Sequence, residues 1–331
     1  MSIQDDRWIF NGVDATTGDY LVPPMTPAEV IARLRERPAE PVSRALMPGF
    51  DPRDLAESGW GVIFPRGPHG VSPEIREALR PLLDHRREQT GARFRELELR
   101  PGEDLDAFLT RHGRGPGPVH PDRMPYYLLL AGDPGEIPFG FQTRLDLQHA
   151  VGRLSFDTPE EYARYARGVV RSETAIPGRD PLLDLFGPRN PDDPATELST
   201  DHLLTPLAAR LDGAVSGWRV RLTAGEGATR RALGNILRGE GGRPSLLFTA
   251  SHGVGYPCGD PRQIERQGAL LCQDWPGPEW RGAISPDWTF AAEDLSRLEG
   301  GADLSGLIAF CFACHGAGTP RLDDFAHRNG W

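Results

Sequence analysis

A chain of 331 residues can bury a sizeable core, as one large α/β domain or as two smaller ones. Its 37 basic residues, every one an arginine, face 47 acidic ones for a net charge of -10, which argues against nucleic acid as the main partner. Four cysteines are too few for a disulfide framework, and neither the opening Met1-Ser2-Ile3-Gln4 nor any later run resembles a leader or a membrane span, so the expectation is a cytoplasmic protein with no membrane partner.

In chain order, residues 8–48 carry an aromatic opening at Trp8, scattered Gly and Pro, and one short helical pattern starting at Thr26-Pro27. Residues 59–64 read as a strand before a Pro-Arg-Gly-Pro turn, and 72–87 as a charged amphipathic helix with Ser72 as N-cap and Pro73 in its first turn. A β-α-β pattern follows: a strand at 94–99, a helix at 104–112, a Gly/Pro loop at 113–118, and a buried strand at 126–131 ending in Gly132-Asp133-Pro134. A strand at 150–156 leads to a helix at 158–171, with Glu160 and Glu161 favouring its N-terminus.

Segment 176–199 is rich in Pro and Asp and holds at most one short apolar run, 182–186. Beyond it the pattern gives a helix at 200–211, a strand at 218–222, a helix at 229–238 and a strand at 246–251. A long loop with Cys258 and Cys272, a helix at 291–298 and a strand at 307–312 complete it. The fold class is α/β, a mostly parallel sheet covered by helices and preceded by a smaller α/β subdomain. The expected divisions are an N-terminal region 1–92 of unassigned role, a first subdomain 93–175 and a second subdomain 176–331.

Two of these strands carry chemistry. The run Leu307-Ile308-Ala309-Phe310-Cys311-Phe312-Ala313 ends at Cys314-His315-Gly316, and Leu246-Leu247-Phe248-Thr249-Ala250-Ser251 ends at His252-Gly253. Reactive side chains of open α/β sheets emerge at the carboxyl ends of strands, so neighbouring strands would set thiol and imidazole across one cleft. A thiol nucleophile needs a base to raise its thiolate fraction and an acid for the leaving amine, and one imidazole serves as both. The glycines beside them let substrate backbone approach, and the Gly253 and Cys314 amides are candidate oxyanion donors. Taken singly, Cys314 could be a core thiol and His252 a loop histidine; their paired placement favours catalysis.

His-Gly and then Ala-Cys, each after an apolar strand, resembles the signature of the caspase-like (clan CD) cysteine peptidases, here Ser251-His252-Gly253 and Phe312-Ala313-Cys314. Cys314-His315-Gly316-Ala317-Gly318 is also similar to the Cys-His-Ser-Gly of metacaspases. Upstream, Tyr127-Leu128-Leu129-Leu130-Ala131-Gly132-Asp133-Pro134, Ile137-Pro138-Phe139 and Val151-Gly152-Arg153-Leu154 look like the first subdomain of gingipain-type peptidases. The resemblance covers about residues 95–331 and implies a Cys-His dyad acting on protein or peptide substrates, in limited regulatory proteolysis such as bacterial defence or cell-death signalling, with no cofactor or metal. In arginine-specific gingipains an Asp at the start of a helix lines the S1 pocket. The matching position is Asp201, which implies cleavage after basic residues, Arg preferred over Lys; Asp192, Asp193 and Glu197 are alternatives, and Asp201 could instead cap its helix. Those peptidases also orient their His with a carboxylate from the loop before this helix, to which no residue here is matched.

The family fold continues past the Cys strand to form one wall of the cleft. The resemblance therefore implies that a C-terminal fragment, released by an activating protease or supplied by a partner, completes this chain. A non-catalytic caspase-like regulatory or scaffold protein is the alternative. Cys311 and Cys314 form a C-x-x-C, but residues three apart on a strand point to opposite faces and no second pair completes a zinc site, so zinc or redox chemistry is disfavoured. Cys258 is a distant alternative nucleophile.

Overall fold

The computed structural model describes residues 25–35, 45–66, 73–113, 117–174, 181–214, 216–257, 259–302 and 304–316. The aromatic opening at Trp8, Cys258 and everything after Gly316 lie outside these.

Two four-stranded parallel sheets, each flanked by helices, make up the fold. The first holds β1 (Trp60–Pro65), β2 (Phe94–Leu99), β3 (Tyr127–Ala131) and β4 (Ala150–Leu154) in the order β2-β1-β3-β4. Every residue of β1 is buried, because a central parallel strand is covered on both faces. Trp60, Val62 and Phe64 pack with Leu79, Leu82 and Leu83 of helix Pro73–Thr90 and with Tyr162 and Ala166 of helix Pro159–Thr174. Ile63 turns to the opposite face with Leu128, Leu130, Phe108 and Phe141, the alternation that period two requires. The division expected at residue 92 falls inside this layer, since β1 pairs with both β2 and β3.

The second sheet holds β5 (Leu182–Gly187), β6 (Arg219–Ala224), β7 (Leu246–Ala250) and the last strand, Ile308–Phe312, with β7 between that strand and β5. A two-stranded antiparallel ribbon, β8 (Leu270–Leu271) with β9 (Thr289–Phe290), lies between them in sequence, so the last strand is β10. Phe186 and Leu247 pack on Leu233, Ile236 and Leu237 of helix Arg230–Leu237. Leu183, Leu185 and Ala250 face Leu204 and Ala208 on the other side.

The apolar run expected only as a short stretch in a Pro- and Asp-rich segment is therefore an inner strand, buried at all six positions. Asp184 in its middle is neutralised across the sheet by its register partner Arg221, whose guanidinium donates to both carboxylate oxygens. Arg221 is held further on the charged side by this contact. No helix among the described residues is long and apolar enough to cross a membrane.

Candidate active site

β7 and β10 are parallel neighbours, in register from Leu246↔Ile308 to Ala250↔Phe312. Their carboxyl ends leave the sheet side by side, and the Ser251 amide still donates to the Phe312 carbonyl. His252 follows one strand and Cys314 the other, as the two apolar runs led one to expect. Both line a single cleft of about 320 Å³, with Ala195, Thr196, Ser199, Ser251, Phe312 and Ala313.

The close approach depends on Gly253. A Cβ at this position would run into the carbonyl group of Cys314, so only glycine lets the two strand ends meet. At Gly268, φ +76°, a Cβ would likewise press into the His315 carbonyl. His315 itself sits at φ 55°, unusual for a residue with a side chain, so the turn that presents Cys314 is a constrained one. Beyond β7 the chain forms a short antiparallel bridge in which Leu271 donates to the His252 carbonyl and Val254 to that of Ala269. The Gly253 amide takes no part in this ladder, and among the described residues neither it nor the Cys314 amide donates to another backbone group.

His252 has a third partner that the sequence reading left unassigned. Its Nε2 lies 2.9 Å from Oδ2 of Asp193. A carboxylate only accepts, so Nε2 carries the proton and Nδ1 is the nitrogen left without one in the neutral imidazole. Asp193 is buried, and it accepts also from the Thr196 hydroxyl at 2.8 Å and the Ala195 amide at 3.3 Å. These bonds make it the N-cap of helix Pro194–Ser199. Asp192, at φ 53°, makes the turn before it, a conformation Asp tolerates better than most residues. The His252 ring packs in a T-shaped arrangement with Trp275, the two centroids 6.2 Å apart at 89°. Asn190 donates to the Cys272 and Trp275 carbonyls and so fixes the loop that carries the indole.

The helix start expected beside Asp201 requires a correction. The helix begins at Pro194, not 200, and Thr200–Leu204 is a wider turn linking Pro194–Ser199 to Thr205–Leu211, so Asp201 neither opens nor caps a helix. Arg189 donates from Nε to Asp201 at 3.0 Å and from its other arm to Glu197 at 2.7 Å. The bond to Asp201, then the charges of both carboxylates, hold Arg189 firmly protonated. Among the described residues, neither carboxylate is one of those lining the cleft beside Cys314.

The remaining cysteines differ sharply. Cys311 and Cys314 are free and exposed, while Cys272 is buried and its thiol is pushed up to about 12 by that burial. Among the described residues no cluster of His, Cys, Asp and Glu could hold a metal ion. Comparison with protein-family models, with curated proteins and with solved structures gives no match.

Proposed function

We propose that this chain is a caspase-like cysteine endopeptidase with Cys314 as nucleophile, His252 as acid and base, and Asp193 as the group that orients the imidazole. The observation that carries the reading is the pairing of β7 with β10, which brings a histidine already hydrogen-bonded to a buried carboxylate into one cleft with an exposed thiol. Nδ1 takes the thiol proton as sulfur attacks the scissile carbonyl and forms the C–S bond. The same proton passes to the leaving nitrogen as the C–N bond breaks, and water, deprotonated by Nδ1, then hydrolyses the thioester. The Gly253 and Cys314 amides support the reading as donors to the oxyanion. Intact mass spectrometry with peptidyl acyloxymethyl ketones tests it: one adduct on the chain, absent from Cys314→Ala and His252→Ala, is expected, and an adduct elsewhere or none refutes it.

A second reading, a caspase-like scaffold without catalysis, draws on β10. This edge strand exposes Ile308, Phe310 and Phe312 at 69%, 54% and 55% of their surface, an apolar strip of the kind that partners cover. The same strip suits a C-terminal fragment or partner that completes the peptidase. Size-exclusion chromatography with light scattering, run beside the labelling, separates the two: assembly without labelling favours the scaffold. Limited proteolysis in a defence or death pathway is the proposed setting.

A further inference from the structure

We infer that the cleft beside Cys314 selects substrates carrying an uncharged apolar side chain of about Leu to Phe size, rather than arginine, at the residue whose carbonyl is attacked. This rests on the peptidase reading above and names its substrate class. Helix Pro194–Ser199 turns Ala195 and Ser199, one helical turn apart, to the cleft together with Thr196, and the end of β10 supplies Phe312 and Ala313. None of these can carry a charge.

Among the described residues, the carboxylates on this helix and on the turn after it are already committed. Asp193 accepts three hydrogen bonds, one of them from His252. Asp201 and Glu197 share Arg189. Among the described residues lining this cleft, an entering guanidinium would meet no counter-ion and would be desolvated unpaired, and an aspartate would meet no cation apart from the imidazole. An aliphatic or aromatic side chain loses only water it is better without. The volume of about 320 Å³ accommodates such a group with room to spare.

The experiment uses the full chain and acyloxymethyl ketones that differ only in Leu, Phe, Arg or Asp at P1, with the second-order rate of Cys314 alkylation read by intact mass. The Leu and Phe probes are expected to react at least ~10-fold faster than the Arg and Asp probes, the scale on which a pocket discriminates side chains. Ser199→Asp, which sets a carboxylate in the cleft, is expected to raise the Arg rate relative to Leu, and Ala195→Leu to slow Phe more than Leu. Asp201→Ala is expected to leave the order of the four probes unchanged. Faster labelling by Arg or Asp overturns this inference while the peptidase reading stands. Failure of all four probes on a folded chain overturns both.

Discussion

Asp193→Asn isolates the charge that holds His252. Asparagine caps helices about as well as aspartate, so helix Pro194–Ser199 should keep its first turn and the melting temperature should move by little. What changes is the 2.9 Å contact to Nε2. A hydrogen bond to a charged group contributes about 1.5–3 kcal/mol, against about 1 for a neutral one. The net loss of about 0.5–2 kcal/mol corresponds to a ~2- to 30-fold slower reaction if the imidazole keeps its orientation. If the amide instead turns its NH2 towards Nε2, the proton is driven to Nδ1 and the base is lost, which costs a further factor of order 10² or more. The measurement is the rate of Cys314 alkylation beside thermal unfolding of the same samples. Asp193→Ala should add about 1 kcal/mol of destabilisation by removing the cap. An Asp193→Asn chain that melts and labels like the wild type would refute the role assigned to this carboxylate.

Gly253→Ala should abolish alkylation of Cys314 and destabilise the fold by about 1–3 kcal/mol, because the new methyl meets backbone that has little room to move; normal labelling would show that the strand ends are not in contact. Under native conditions at pH 8 a maleimide should modify Cys311 and Cys314 well before Cys272, whose thiol is buried and pushed up to about 12; early modification of Cys272, located by peptide mapping, would contradict its burial. Glu173 is held down to about 2, first by its hydrogen bond to Arg86 and also by bonds to His85 and Gln89. A depressed carboxylate stabilises the fold above its ordinary value of 4.5 and loses that contribution as the pH falls towards 2, so Glu173→Gln should cost about 1 kcal/mol at pH 7, discounted because the group is one-third exposed, and almost nothing near pH 2 in denaturant titrations. Arg221→Leu strands the fully buried Asp184 without its partner and should cost about 3–5 kcal/mol, whereas Asp184→Leu with Arg221→Leu should restore much of it.

The placement of His252 beside Cys314 was legible in the sequence because each residue follows a charge-free, mostly apolar run, and these two runs pair in one parallel sheet. β5 was harder to read for a local reason. Asp184 interrupts its apolar run and Pro-rich segments flank it, and nothing in a one-dimensional pattern shows that Arg221 waits at the same register on β6. The carboxylate that holds His252 was in the sequence as a helix start, Asp193 followed by Pro194, an N-cap and a first-turn proline. An expected helix start at 200 places Asp201 at the position that Asp193 occupies in the structure. β1 was recognised as a strand, but its place at the centre of the first sheet depends on pairings with β2 and β3 that local pattern does not encode.

The position of Asp193 also explains how one short helix both holds His252 and lines the cleft. Its cap carboxylate reaches back to His252 while Ala195, Thr196 and Ser199, on the turn just begun, form the cleft wall. A change in where that helix starts would therefore move the imidazole and the pocket together. Asp193 fixes that start through the Ala195 amide and the Thr196 hydroxyl, so the hydrogen bonds that cap the helix also set the distance between the wall and the base. Arg189 clamps the next turn through Glu197 and Asp201 and is itself tied to the β8 side by Gln273, which accepts from its amide and donates to its carbonyl. On this account Arg189 and its two carboxylates buttress the helix that forms the cleft wall.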